Sequence, residues 1–183
     1  MTARALVVAD THLGDGQAPR LIDRLRHLLD GLDGLDGLDG LDGLDGHDGV
    51  DAIFHAGDIV HPSVLGALRE YAPVHAVLGN NDVGVRLPER IEVELGGCII
   101  GMLHDSGPSA GRDRRLRRIF PGADVVLFGH SHIPWHETHV ERGHVQHHVN
   151  PGSAMQRRRQ PACTVAVLTL APGAIGVEIV ALG

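Results

Sequence analysis

Side chains that bind divalent metal ions recur in five short motifs of this chain. The motifs are Asp10-Thr11-His12, Gly57-Asp58, Gly79-Asn80-Asn81-Asp82, His104 and Gly129-His130-Ser131-His132. A mixture of imidazoles, carboxylates and an amide oxygen suits manganese, iron, zinc or nickel better than calcium, which takes oxygen ligands. The set is larger than one tetrahedral ion needs, but it fits two neighbouring ions that share a carboxylate. These residues therefore predict a dinuclear hydrolase.

Each motif follows a short apolar run that predicts a β-strand. The runs cover residues 5–9, 50–56, 74–78, 98–103 and 125–128. Open α/β sheets place their sites at the carboxyl ends of strands, where loops line a crevice on a rigid scaffold. We expect Gly57, Gly79 and Gly129 to let the backbone turn sharply there, because glycine has no Cβ.

In this order, the motifs resemble those of the calcineurin-like metallophosphoesterases. Within that family the chain is similar to small single-domain bacterial and archaeal phosphodiesterases, which also resemble the retromer subunit Vps29. The resemblance rests on DTH, HAGD, GNND, His104, GHSH and Asn150-Pro151-Gly152-Ser153, and it covers nearly all of the chain except about residues 31–49. It implies a single domain over residues 1–183 with an α/β fold: a four-layer αββα sandwich of two mixed β-sheets flanked by helices.

The resemblance also implies a role for each ligand. One ion would be bound by Asp10, His12, Asp58 and His132, and the other by Asp58, Asn80, His104 and His130. Asp58 would bridge them, and Asn80 and His104 would also act in catalysis. A hydroxide held between the ions would attack phosphorus, because two cations bring the pKa of bound water into the neutral range. The expected cofactors are two divalent ions, with Mn²⁺ first and Fe, Zn, Ni or Mg as alternatives.

One position departs from the larger protein phosphatases of the superfamily. Those enzymes place a histidine after the asparagine and pair it with an acid as a proton donor, whereas this chain has Asn81. Small members commonly lack that histidine too, so the change favours substrates with good leaving groups rather than loss of activity. His61, three residues after Asp58, is a candidate substitute donor or phosphate contact, because its motif places it near the mouth of the site.

Other histidines have two interpretations. His55 lies in an apolar strand, where it is either a buried, hydrogen-bonded imidazole or a partner that orients a metal ligand. Near a predicted hairpin turn at Arg142-Gly143 lie His136, His139, His144, His147 and His148. The ordinary interpretation is an exposed polar hairpin. Alternation along its strands gives a less favoured one, an extra zinc site.

Residues 30–50 contain five DGL repeats, followed by DGH and DGV. The absence of proline argues against a collagen-like helix, and each glycine inside an α-helix costs about 0.8–1 kcal/mol relative to alanine. We predict an irregular acidic insertion at about residues 31–49, tolerated at the surface, with calcium binding as a less favoured function. The seven aspartates of residues 30–50 equal the formal net charge of −7, so the acidity does not indicate a substrate.

Composition limits the remaining classes of protein. A chain of 183 residues with 43% hydrophobic content fits one α/β core. There is no secretion-signal pattern and no apolar run near the ~18 residues that span a bilayer, so we expect a cytoplasmic protein without membrane contact. Cys98 and Cys163 are expected to be reduced and buried.

Partners are less well defined by the sequence. The arginines of residues 112–118 lie on a predicted helix, where most are expected to form a solvated face. Aromatic residues for base stacking are scarce, which disfavours long nucleic acid as a partner. The expected partner is a small phosphate-ester substrate, and a homodimer is the assembly to test, since dimers are the commonest oligomers.

Two functions fit these observations. The leading hypothesis is a metal-dependent phosphoric ester hydrolase, most simply a phosphodiesterase that acts on a small phosphodiester or nucleotide. The alternative is a Vps29-like scaffold that binds a protein partner with little or no catalysis. A scaffold can lose metal ligands without penalty, yet this chain keeps every ligand that the resemblance implies, His104 included. The retained set favours the enzyme.

Overall fold

The computed structural model describes residues 1–29 and 49–183, so nearly all of the predicted acidic insertion lies outside the described residues. Within them the chain forms ten strands and three helices. In chain order these are β1 (Ala3–Val8), α1 (Ala18–Leu29), β2 (Ala52–His55), α2 (Ser63–Arg69), β3 (Val74–Ala76), β4 (Arg90–Leu95), β5 (Cys98–Leu103), α3 (Arg112–Ile119), β6 (Val125–Leu127), β7 (Trp135–Glu141), β8 (His144–Asn150), β9 (Cys163–Ala171) and β10 (Ala174–Leu182).

The strands form two mixed sheets of five strands each. The first sheet has the order β10-β9-β1-β2-β3, and the second has the order β4-β5-β6-β8-β7. β1, β2 and β3 run parallel to one another, and so do β5, β6 and β8. Because parallel strands end at the same edge of a sheet, each sheet collects the loops that follow its parallel strands at one edge.

Apolar side chains hold four layers together. Val7 of the first sheet and Ile100 of the second belong to one buried cluster that fills the space between the sheets. Leu21 of α1 packs in a second cluster on the outer face of the first sheet, together with residues of α2. Leu116 of α3 packs with Val126 in a third cluster, on the outer face of the second sheet. The predicted αββα sandwich is confirmed.

Smaller predictions are also confirmed. β7 and β8 form the predicted hairpin, and its turn residues Arg142 and Gly143 have φ values of 51° and 82°. Cys98 and Cys163 are both free and buried. Across residues 1–29 and 49–183, no helix has the length and apolar character needed to cross a membrane.

The arginines of α3 differ from the prediction of a mostly solvated face. Arg114 and Arg118 are exposed, but the other three are half-buried. The guanidinium carbon of Arg112, for example, lies 5.2 Å from the ring centroids of both Phe128 and Trp135. α3 packs closely on the second sheet, and long arginine stems cover apolar surface well, which accounts for the difference.

Candidate metal centre

The side chains predicted as metal ligands meet where the strands of both sheets end. The first sheet contributes the residues after β1, β2 and β3, and the second sheet contributes the residues after β5 and β6. Brought together in this way are Asp10, His12, Asp58, Asn80, His104, His130 and His132. The predicted position at the carboxyl ends of five strands is confirmed.

Asp10, His12 and His132 form one group. Nε2 of His132 lies 3.2 Å from Nε2 of His12 and 3.4 Å from Oδ1 of Asp10. Nδ1 of His132 lies 2.8 Å from the carbonyl oxygen of Gln156, which can only accept, so Nδ1 carries the proton. Burial lowers the pKa of His132 and of His12, which favours neutral rings. The remaining lone pair of His132 therefore faces other ligand atoms, as it would around a shared cation.

Asn80, His104 and His130 form a second group. Oδ1 of Asn80 lies 3.0 Å from Nε2 of His104 and 2.9 Å from Nδ1 of His130. Nδ1 of His104 donates to the carbonyl oxygen of Ala56 at 2.7 Å. In the neutral ring Nε2 then holds a lone pair, and it points toward oxygen atoms that also accept. A cation among these atoms would satisfy all of them.

Asp58 lies between the two groups. Its Oδ1 is 3.5 Å from Nε2 of His104, and its Oδ2 is 3.6 Å from Nε2 of His12. Asn81 donates to the same carboxylate from its backbone nitrogen at 2.8 Å and from its side chain at 2.7 Å. Burial alone would raise the pKa of Asp58, but these hydrogen bonds and the two imidazoles lower it. The carboxylate stays ionised with one oxygen facing each group.

The donor set fits divalent metal ions. Ligand atoms of Asp10, His12 and His132 all lie within 4.8 Å of one another, and so do those of Asp10, Asp58 and His104. Burial and the charge of Asp58 raise the pKa of Asp10 to about 8. Ionised Asp10 therefore calls for a cation close by, and neutral imidazoles beside carboxylates are the ligands that first-row divalent ions take.

The backbone at this centre is unusual. Five of the seven residues have φ values between 48° and 69°: Asp10, His12, Asp58, His130 and His132. This left-handed region costs non-glycine residues on the order of 1 kcal/mol or more each, and it persists only where surrounding contacts enforce it. The amide of Asp10 donates to Gly57 O and that of His12 donates to Asp58 O, both at 3.0 Å. Strain concentrated on these residues indicates a functional site.

Two of the strand-end glycines are required for different reasons. Gly57 has a φ of 90°, which agrees with the predicted sharp turn. Gly79 has no such φ, but a Cβ there would collide with the backbone nitrogen and the carboxylate of Asp58. The missing side chain at Gly79 is thus needed for close approach of two loops rather than for backbone conformation.

Asp82 connects the loops of the centre, a role that the sequence did not predict. Its buried carboxylate accepts hydrogen bonds from the backbone nitrogens of Asp58 at 3.0 Å, Val60 at 2.6 Å and Gly79 at 2.8 Å. These bonds tie the loop after β2 to the loop after β3. The final aspartate of GNND was the only signal in the sequence, and its partners are visible only in three dimensions.

The segment Asn150-Pro151-Gly152-Ser153 supports the centre through hydrogen bonds. Oγ of Ser153 donates to the carbonyl oxygen of Asp10 at 2.7 Å, and the side-chain amide of Asn150 donates to Gly129 O at 2.9 Å. These side chains thus hold the backbone at Asp10 and at Gly129 in place. His55 is fully buried, with Nε2 3.1 Å from Oγ1 of Thr11, and burial lowers its pKa to about 4. It is a neutral core imidazole that contacts the residue between two ligands.

Two further residues lie at the margin. Nδ1 of His61 is 2.8 Å from Oγ of Ser63 and 3.7 Å from Oδ1 of Asp15, and its role toward substrate stays a prediction. Arg158 was missed, although its guanidinium is among the charges that act on Asp10 and on the neighbouring histidines. It lies just beyond NPGS, in an exposed position, where a cation faces the anionic part of the centre.

Comparison with known proteins agrees with this geometry. Residues 4–173 match the family model described as the calcineurin-like phosphoesterase superfamily domain. The chain belongs to this superfamily. A probable metallophosphoesterase of Methanothermobacter thermautotrophicus is 36% identical over 87 residues, which cover 45% of this chain and 51% of that protein. The match thus spans about half the length of the curated relative.

Solved structures show how widely the fold is used. Vacuolar protein sorting 29 of Cryptosporidium parvum is 17% identical with a TM-score of 0.69, and the match covers 98% of this chain and 97% of that one. A structure described as a novel archaeal phosphodiesterase is 18% identical with a TM-score of 0.66, covering 97% and 99%. At such identities the likeness shows the shared fold alone, so the chemistry must be argued from the side chains.

Proposed function

We propose that this superfamily member is a dinuclear metal-dependent phosphodiesterase that hydrolyses a small phosphodiester or a nucleotide. The observation that carries the proposal is the position of Asp58, whose two carboxylate oxygens face imidazoles of two separate ligand groups. When bound, two divalent ions would supply a water of lowered pKa and neutralise charge on the phosphoryl oxygens. Mn²⁺ is the first candidate, and Fe, Zn, Ni and Mg are alternatives.

The chain's own residues would position and polarise the reacting groups. Backbone carbonyls fix the tautomers of His104 and His132, so that each presents a lone pair inward. Asn81 holds the carboxylate of Asp58 in place through two hydrogen bonds. The side-chain amide of Asn81 is not an acid and cannot protonate a leaving group. Substrates whose leaving group needs little protonation are therefore favoured, and His61 is the proposed proton donor for others.

The alternative is a scaffold without catalysis, as the shared fold with Vps29 allows. The described contacts favour the enzyme. A scaffold has no use for five strained non-glycine residues around a set of lone pairs, because such strain is costly and is retained where a site requires it.

The proposal is tested with bis(p-nitrophenyl) phosphate. Chelator-treated full-length protein is assayed with and without Mn²⁺, beside the monoester p-nitrophenyl phosphate. We expect Mn²⁺-dependent hydrolysis with a preference for the diester. In a His104→Ala variant, activity should fall about 1,000-fold, because a lost ligand removes several kcal/mol of charge stabilisation in the transition state.

A matched control separates loss of a ligand from loss of any histidine. His27 is exposed near the end of α1, so His27→Ala should keep wild-type activity. If a folded protein with ions bound at the main centre shows no hydrolysis with any of the five metals, the enzyme proposal fails and the scaffold replaces it. Equal activity of His104→Ala and His27→Ala would show that the activity arises elsewhere.

A further inference from the structure

A second set of metal-ligating side chains lies on the outer face of the second sheet, between α3 and the β7–β8 hairpin. Asp113, His139 and His148 each offer one ligand atom, and these atoms lie within 4.8 Å of one another. We call these three residues the hairpin cluster. Glu137 pairs with His148 across the two strands, and Glu137 and His139 alternate onto the same sheet face, which α3 covers.

His148 carries an unused lone pair inside the protein. Its side chain is fully buried, and Nδ1 has no hydrogen-bond partner among the described residues. The amide of Gln146 donates to the carbonyl oxygens of Phe120 and Ala123, so its Oε1 is free to accept from Nε2 of His148 at 2.8 Å. The proton therefore lies on Nε2, and Nδ1 is left as an acceptor. Burial and the neighbouring His139 lower the pKa of His148 to about 4, so the ring is neutral.

His139 lies between two carboxylates. Its Nδ1 lies 3.5 Å from Oδ1 of Asp113, and its Nε2 lies 3.4 Å from Oε2 of Glu137. Two ligands of one tetrahedral zinc ion lie roughly 3.3 Å apart, close to the first of these distances. Nε2 of His139 has no hydrogen-bond partner among the described residues, so the carboxylate of Glu137 at 3.4 Å acts on the ring through its charge. The ring of His139 lies 4.6 Å from that of His148, between centroids.

The surroundings leave room for an ion and a further ligand. Asp113 and His139 line a surface pocket of about 490 Å³. Arg117 donates to Oδ1 of Asp113 at 2.9 Å, and a carboxylate oxygen has a second lone pair to offer. The charges of Arg112 and Arg117 act against a cation, while those of Asp113 and Glu137 favour it.

From these contacts we infer that the hairpin cluster binds one zinc-type divalent ion through Asp113, His139 and His148. The fourth position opens to the pocket and takes water. The ion joins α3 to the β7–β8 hairpin, so its role is structural. The sequence had left an extra zinc site as the less favoured interpretation of the hairpin histidines. The inferred site uses only two of them, His139 and His148, on one face of the hairpin. The inference does not depend on the phosphodiesterase proposal.

The test counts zinc on the full-length chain. An Asp58→Asn background is used, because this change weakens the main centre. Chelator-treated protein is dialysed against Zn²⁺, and bound zinc is measured by mass spectrometry beside the thermal unfolding midpoint. His139→Ala should lose one zinc per chain from the background value, and zinc should no longer raise its unfolding midpoint through this site.

Two further variants keep the result decisive. Asp113 lies on the partly exposed side of α3. The Asp113→Asn variant should therefore lose the same single ion, even if His139→Ala folds poorly. His136 lies on the same strand but faces the other side, 3.1 Å from His147, so His136→Ala should keep the full zinc count. Unchanged zinc in both cluster variants, or a loss in His136→Ala alone, overturns the inference.

Discussion

The main centre and the hairpin cluster use the same kinds of ligand on very different backbones. At the main centre the side chains leave loops after strand ends, and five of the seven residues have left-handed φ values. In the hairpin cluster the ligands project from regular strands and a helix: His139 from β7, His148 from β8 and Asp113 from α3. Catalytic sites are often strained, whereas a structural ion needs only well-placed regular elements.

The two regions also differ in their fixed charges. Asp10 and Asp58 are buried together, and their mutual repulsion contributes to the raised pKa of Asp10. In the hairpin cluster, Arg117 already neutralises Asp113. Under the two proposals, the main centre would therefore hold two cations, and the hairpin cluster would hold one ion more weakly. Four substitutions at and around the main centre test this contrast, from the largest expected effect to the smallest.

Asp58→Asn should give the largest effect. The substitution keeps the shape of the side chain but removes the charge that faces both ligand groups. We expect kcat/KM for bis(p-nitrophenyl) phosphate to fall by about 1,000-fold or more, as several kcal/mol of transition-state stabilisation are lost. Zinc bound at the hairpin cluster should be unaffected. A variant with more than a tenth of wild-type activity would remove Asp58 from the bridging position.

Asp82→Asn should reduce both stability and activity. An amide group offers only one accepting oxygen, so at least one of three buried backbone N–H groups loses its partner. Urea denaturation should show a loss of about 1–3 kcal/mol in the free energy of unfolding, with a 10- to 100-fold loss of activity. Asp23→Asn, at an exposed position on α1, is the control. Wild-type activity in the Asp82 variant would show that the loops hold their geometry without it.

Ser153→Ala should have a moderate effect. The hydroxyl donates to the carbonyl oxygen of Asp10 and accepts from the amide of Gln156 at 2.8 Å. Its removal should lower the free energy of unfolding by about 1–2 kcal/mol and displace Asp10 enough to lower activity about tenfold. Thermal unfolding and metal affinity, measured together, check the result. A loss of stability with unchanged metal affinity would show that Ser153 does not hold Asp10 in position for metal binding.

Arg158→Gln should give the smallest effect of the four. The guanidinium is exposed and acts on the ligands only through its charge, which solvent screens. We expect a two- to fivefold fall in kcat/KM, larger at low salt than at high salt. Arg159→Gln, the exposed neighbour, serves as control. A hundredfold loss would instead assign Arg158 direct contact with the substrate.

The sequence predicted much of the main centre because its information is local. Each ligand follows a strand that is visible as an apolar run, and parallel strands bring their ends together. The role of Asp82 was not predicted, because its partners are backbone amides, which a sequence does not single out. The need for glycine at Gly79 was expected, but its close packing against Asp58 was not, because that packing depends on the approach of two loops.

The hairpin cluster was harder to predict. Its histidines were seen, but the sequence did not separate His139 and His148 from His136 and His147, because strand register decides which face each one takes. Asp113 lies more than one element away in the chain and reaches the cluster only when α3 packs on the sheet. The arginines of α3 were misjudged for the same reason.

The strand order has a consequence for how the protein matures. β1, which precedes Asp10, lies between β2 and β9 in the first sheet. All seven ligands occur between residues 10 and 132, whereas β9 spans Cys163–Ala171. During synthesis all seven side chains therefore leave the ribosome before β9, the strand that pairs with β1 on its other side. If the main centre binds ions as proposed, tight binding would come late in biogenesis, because a chain interrupted before β9 would carry these side chains without the strand that flanks β1.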